Sequence, residues 1–263
     1  MNALFSRLAQ LTPPPGSFAL IPLGQHSFLL KLGEVTLGLD LYLTPDPTRL
    51  VAPPFPPEEA VSLDLILGSH DHGDHIDRPA LPVLAQASPE AVLVVPEAVR
   101  RTVPFPPERV RGLDDGESVT LSGVRITAFA AAHELLERDP ATGCHPCLGY
   151  VIEGNGVTVC HTGDCCIYEG LQTKLSRWRF DLLLLPINGR DAERLRRNCI
   201  GNMTFQEAAD LAGALRPALT MPAHFDMFAM NREDPRRFID YMAVKYPHLK
   251  TRIPVPGELF TRF

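Results

Sequence analysis

The sequence predicts an α/β fold in which sheets are covered by helices, and three observations carry that reading. Short apolar runs rich in β-branched residues alternate with segments of helical period. The chain is 45% apolar over 263 residues, ample for a large core. Turn signals punctuate the runs: the 26 prolines cluster in TPPPGSF, VAPPFPPEE and VPFPPERV, which read as stiffened loops. No charge run, Gly/Ser tract or short-period repeat marks a boundary, so 1–263 is read as a single domain with 1–16 as an N-terminal extension.

The elements follow in order. SFLLKLG (27–33) and VTLGLDLYL (35–43) alternate or run apolar, with Gly33 and Glu34 as a hairpin turn between them. LDLILGSH (63–70) and AVLVVP (91–96) are buried strands, and VRITAFAAAH (124–133) is a strand that closes on His133. Asn155-Gly156 in CLGYVIEGNGVTVCHTGD is the strongest short hairpin signal in the chain. FDLLLLPI (180–187) and PALTMPAH (217–224) complete the strands. Thr204 and Glu207 form a capping box at the start of the amphipathic TFQEAADLAGAL. A second helix follows in DPRRFIDYMAVKYP, capped by Asp234 with Pro235 at its first position.

Composition narrows the function. With 25 basic against 31 acidic residues the net charge is −6, which gives no reason to expect nucleic acid as a partner, and any anion site must be local. MNALFSRLAQLTPPPG has one positive charge and breaks at three prolines, unlike a signal peptide, and no run approaches the roughly 18 apolar residues of a membrane span. Five of the six cysteines fall between 144 and 166, which does not suit a disulfide scaffold and points to a reduced cytoplasmic interior.

GSHDHGDH, residues 68–75, concentrates costly polar groups directly after an apolar strand. A lone histidine is usually a satisfied loop residue, but His70, His72, Asp74 and His75 are four ligand-type side chains in six positions. Unpaired, they would be expensive to bury, and a metal ion turns that cost into binding energy. On a tight loop, alternate residues converge on one point and their neighbours on a second, which suits two ions. Imidazole and carboxylate without cysteine select zinc or manganese, with iron as a further candidate. More ligands must come from other strand ends, and His133, Asp164 and His224 each close a strand. His161 competes with Asp164 but lies inside its strand, so it is read with Asp40 as a group behind the ligands. His26 in GQHSF either faces the pocket or merely begins a strand, while His145 and His248 have no supporting context.

His70-x-His72-x-Asp74-His75 followed by His133, Asp164 and His224 resembles the metallo-β-lactamase superfamily. HDHGDHID, CHTGD, the NGRD turn and PAHFDMF look most like its L-ascorbate-6-phosphate lactonase group, over a span from about residue 20 to the C-terminus. The resemblance implies an αβ/βα four-layer sandwich, two mixed sheets packed face to face with helices outside and metals at one edge. It also implies one ion on His70, His72 and His133, a second on Asp74, His75 and His224, and Asp164 bridging. Assembly of like subunits is compatible with it.

A water held between two divalent ions has its pKa lowered toward about 7, and the ions polarise the attacked carbonyl. Asp74 is the candidate catalytic proton carrier. Arg190, Arg194, Arg196 and Arg197 offer either a clamp for a substrate phosphate or carboxylate, with Arg190 and Asn188 as the substrate-binding candidates, or a solvated helix face paired with Asp191 and Glu193. Cys144-His145-Pro146-Cys147 has redox or half-zinc spacing in the wrong context and reads as structural thiols, and Cys165 and Cys166 need no role. The expectation is a dinuclear metal-dependent hydrolase of a small, anionic ester or lactone. Alternatives are a phosphodiesterase of the tRNA-processing or phospholipase-D-like branch, or a metal-dependent sensor without turnover.

Overall fold

The computed structural model describes residues 3–262. The first half of the chain supplies α1 (Ala3–Ala9), β1 (Phe18–Gly24), β2 (Ser27–Leu32), β3 (Val35–Leu39), β4 (Leu65–Leu67), α2 (Leu81–Ala87), β5 (Val92–Pro96) and β6 (Val110–Leu113). The second half supplies β7 (Ser118–Leu121), β8 (Val124–Ala130), β9 (Leu148–Gly154), β10 (Val157–His161), α3 (Leu171–Leu175), β11 (Leu182–Pro186), α4 (Ala192–Arg196), α5 (Phe205–Leu215), β12 (Thr220–Ala223), α6 (Pro235–Lys245) and β13 (Phe260–Arg262).

These strands form a seven-stranded sheet, β13-β1-β2-β3-β4-β5-β6, and a six-stranded sheet, β12-β11-β10-β9-β8-β7. Both are mixed. β1 to β3 run antiparallel and β3 to β6 parallel, while β7 to β10 run antiparallel and β10 to β12 parallel. Asn155 and Gly156 both adopt positive φ, as a two-residue turn twisted with its strands requires, and β9 pairs with β10 as the hairpin signal predicts.

The period-2 alternation of the strands sorts side chains into layers. In β11, Leu182 and Leu184 face inward to meet Phe28 and Leu30 of the other sheet. Leu183 and Leu185 face outward onto Ala208, Ala209 and Ala212 of α5. On the other sheet, Phe18 and Leu20 point into the shared core, whereas Ala19 and Ile21 point out to Leu81 and Leu84 of α2. Each such buried leucine or phenylalanine contributes about 1.5–3 kcal/mol. The result is the predicted sandwich: helices, sheet, sheet, helices.

Both predicted helix starts form. Thr204 Oγ1 accepts from the Glu207 amide at 3.2 Å, the Glu207 carboxylate accepts from the Thr204 amide at 2.9 Å, and the Asp234 carboxylate accepts from the Arg236 amide at 3.0 Å. Among the described residues no helix is long and apolar enough to cross a membrane. Several elements differ from the sequence reading. β1, β6, β7 and β13 were not expected, and inside the 1–16 stretch α1 buries Phe5 and Leu8 in the outer layer of the first sheet. The run 63–70 pairs only over Leu65–Leu67, because the chain then turns out into the histidine loop. β8 stops at Ala130, and His133 follows in isolated bridges instead of a strand.

Candidate metal centre

The ligand candidates meet where β3, β4, β10 and β12 end and the 131–135 and 24–27 segments approach. Four non-glycine residues here have positive φ: Gln25 (55°), Asp40 (42°), Glu134 (70°) and His224 (56°). Such conformations persist only where surroundings over-determine them, and they gather at functional sites. The His224 amide donates to the Gln25 carbonyl at 2.7 Å, so two of these strained residues hold each other. The loop after β4 coils tightly, with the His75 and Ile76 amides both donating to the His72 carbonyl at 3.0 and 2.8 Å. Asp77 then ties it to the 43–44 segment by accepting both amides, at 2.8 and 2.7 Å.

Two triads result. His70, His72 and His133 bring ligand atoms within 4.8 Å of one another, as do Asp74, His75 and His224. In the first, His72 Nδ1 lies 3.0 Å from His70 Nε2 and 3.2 Å from His133 Nε2. In the second, His75 Nε2 and His224 Nε2 lie 3.5 and 3.7 Å from Asp74 Oδ2. Asp164 sits between them. Its Oδ1 is 3.4 Å from His75 Nε2, and its Oδ2 is 3.1 Å from His224 Nε2 and 3.7 Å from His133 Nε2. Gly163 makes that approach feasible: at φ 59° a Cβ there would come within 2.7 Å of both the Leu148 carbonyl and Ser69 Cβ.

Behind the triads, hydrogen bonds fix the ring orientations. Asp40 Oδ2 is 2.6 Å from His75 Nδ1, which leaves Nε2 facing the centre. Asp40 also accepts from the Ser69 amide and hydroxyl, both at 2.7 Å, and the Ser69 hydroxyl oxygen lies 3.0 Å from His70 Nδ1. His161 accepts from the Gly163 amide at 3.2 Å and lies 3.0 Å from the His26 carbonyl, which places it behind Asp164. The His26 ring stacks on His161 at 4.2 Å, with its Nδ1 3.6 Å from Asp164 Oδ1. On the inner side, the Gln25 side-chain amide donates to Asp74 Oδ2 at 2.7 Å and lies 2.9 Å from His224 Nε2, the atoms that would face an ion.

The electrostatics agree with a cation-binding role. Burial holds His70 well below the usual imidazole range and brings His133 down to about 4, keeping both neutral as ligands must be. For His75 and His224 burial is outweighed by carboxylates, Asp164 foremost, so their pKa values rise, and these same carboxylates draw positive charge, a proton or an ion, to the centre. Burial likewise opposes ionisation of Asp164, yet His224 and His75 hold its carboxyl well below the usual carboxylate range. His75 Nε2 and Asp164 Oδ1 are buried without a hydrogen-bond partner among the described residues. Orphaned ligand-type atoms aimed at a common point, with only nitrogen and oxygen donors, fit divalent ions of the zinc or manganese kind.

The substrate-side candidates are engaged by partners within the protein. The Arg190 guanidinium is held bidentately by Glu207 at 2.7 and 2.8 Å and donates to the Asn202 carbonyl at 3.1 Å. Arg194 pairs with Asp191, and Arg196 and Arg197 with Glu193, as the solvated-face reading describes. Asn188 is fully buried, its amide donating to Asn231 at 2.8 Å and its carbonyl accepting from Asn202 at 3.1 Å. His145 is engaged by Asp114 at 2.8 Å, and all six cysteines are free. Sequence reasoning missed Ser69 and Gln25, whose roles depend on distant strands; their only signal was adjacency to His70 and His26.

The chain is similar to proteins of one superfamily. Residues 38–225 match the family model described as beta-lactamase superfamily domain. A UPF0173 metal-dependent hydrolase of Archaeoglobus fulgidus is 27% identical over 90% of this chain and 96% of its own length. One from Opitutus terrae is 29% identical over 89% and 96%. Among solved structures, Igni18, a metallo hydrolase from Ignicoccus hospitalis, superposes with a TM-score of 0.74 at 22% identity over 94% of this chain and 99% of that one. The two mixed sheets, the ligand-bearing edge and the family match lead to one assignment: the chain belongs to the metallo-β-lactamase superfamily, alongside the metal-dependent hydrolases it resembles.

Proposed function

We propose that the protein is a dinuclear metal-dependent hydrolase, using two zinc or manganese ions to cleave a small anionic ester or lactone. The observation that carries this reading is Asp164, whose two oxygens face ligand atoms of both triads at 3.1 to 3.7 Å. Such ions, when bound, lower the pKa of a water toward about 7 and polarise the attacked carbonyl. The chain supplies the rest. Asp40 and Ser69 keep the rings of His75 and His70 turned to the centre. Asp74, with a side chain 17% exposed against 4% for Asp164, is the ligand carboxylate with access to solvent and carries the proton to the leaving group.

Two divalent ions outweigh the carboxylates of Asp40, Asp74 and Asp164, which leaves a positive centre suited to an anionic small molecule. The lactone part of the reading rests on the sequence likeness at 70–77, 160–164 and 222–228. Six free thiols support work in a reducing cytoplasm. The test is hydrolysis of a panel of lactones, carboxylic esters and phosphodiesters by protein loaded with zinc or manganese. Turnover of lactones or esters that chelator abolishes and metal restores is expected. Turnover unaffected by chelator, or confined to phosphodiesters, contradicts the proposal.

A further inference from the structure

Beside the metal centre lies a cavity of about 190 Å³ lined by Leu195, Cys199, Ile200 and Gly201, with Glu134, Arg190 and Asp191 at its polar side. Leu195 is 58% exposed and Ile200 38%, and on the neighbouring loop Leu135 is 64% and Leu136 47% exposed. Exposed apolar residues gathered in one place mark a binding surface. This one is continuous with the centre. Glu134 directly follows the ligand His133, and the Gly201 carbonyl accepts from the thiol of Cys166, two residues beyond Asp164. The Cys166 amide in turn donates to the Ala132 carbonyl at 2.7 Å, tying the cavity wall to the ligand-bearing segment.

The charges around the cavity decide what it can hold. Arg190 is neutralised by Glu207 and Arg194 by Asp191, so neither guanidinium is free to hold a second anionic group. Glu134 opposes an anion directly. Asp191 adds a second carboxylate to the rim, and the remaining wall is aliphatic and sulfur-bearing. We propose that this cavity receives an aliphatic chain of the substrate, so that the substrate is amphiphilic: a carbonyl group at the ions and a hydrocarbon tail between the 133–136 and 195–201 segments. At about 30 Å³ per water-sized group, the volume takes a tail of about six carbons. The inference rests on the hydrolase reading for the head group and on the cavity for the tail.

Alkyl hydroxamates, whose head groups chelate such ions, separate tail binding from turnover. Calorimetry on zinc-loaded protein with the series from acetohydroxamate to dodecanohydroxamate should show Kd falling up to about fourfold per methylene and levelling after about six. Leu195→Asp and Ile200→Asp should each flatten that dependence, while Val244→Asp, on α6, should keep it. A flat series or no binding in the wild type overturns the proposal. So does a slope that survives both substitutions, including the case in which Leu195→Asp splits a dimer and thereby assigns the surface to a second copy. A clear slope without turnover of any ester or lactone would keep the tail site and reject the hydrolase reading.

Discussion

The Asp74–His75–His224 triad and the His70–His72–His133 triad share an edge of the sandwich but differ in support. In the first named, Asp40 fixes His75 at 2.6 Å through the nitrogen turned away from the centre, and the His224 backbone is pinned to Gln25 in a left-handed conformation. In the other, His70 leans on Ser69 alone and the His72 side is exposed; His133 Nδ1 and His224 Nδ1 alike have no hydrogen-bond partner among the described residues, so the contrast lies in Asp40 and in the pinned His224 backbone. A ligand set whose rings are fixed beforehand loses less entropy on binding. The Asp74–His75–His224 site is therefore expected to fill first and hold its ion more tightly.

The largest expected effect comes from removing what the two sites share. Asp164→Ala should lose one ion per chain by elemental analysis and reduce turnover more than about 10²-fold, beyond the range for residues behind a ligand. Retention of both ions and full activity would break the comparison at its root. Asp40→Asn keeps the shape but no longer offers His75 a second carboxylate oxygen. The tighter site should weaken by about 10–100-fold in chelator competition, and the weaker site, which Asp40 reaches only through Ser69, should weaken less. Equal weakening of both would mean that support is not local.

Ser69→Ala sharpens the other side, because His75, 3.3 Å from the same hydroxyl, keeps Asp40, whereas His70 loses the hydrogen bond to its Nδ1, a difference of about 1 kcal/mol. The weaker site should lose roughly fivefold in affinity. The smallest effect lies away from the edge: Thr204→Ala breaks the capping box of α5 at a cost of about 1 kcal/mol, lowering Tm by about 2–4 °C with metal content unchanged.

The parts legible in the sequence were those whose signal is local. The 70–75 loop packs four ligand types together, Asn155-Gly156 can only be a hairpin turn, and Thr204 with Glu207 states its own helix start. His133, Asp164 and His224 could be anticipated because each follows an apolar run. β6 and β7 were missed because VRGL and SVTL are short edge-side segments with little apolar content, and β13 because FTR pairs only through its distant partner β1. The 1–16 segment hid α1 because its prolines dominate the pattern, although Phe5 and Leu8 are buried. Ser69 and Gln25 act by hydrogen bonds to residues 29 and 49 positions away, a separation no local pattern records. Arg190 looked free in sequence because its partner Glu207 lies 17 residues on and one helix away.

One measurement bears most directly on the paired centre: ions bound per chain, by calorimetric titration of metal-stripped protein with zinc, in the wild type and in His133→Ala. The account predicts two ions of unequal affinity in the wild type and one in the variant, held as tightly as the stronger of the two. No binding in the wild type, or an identical two-ion titration in His133→Ala, would contradict it.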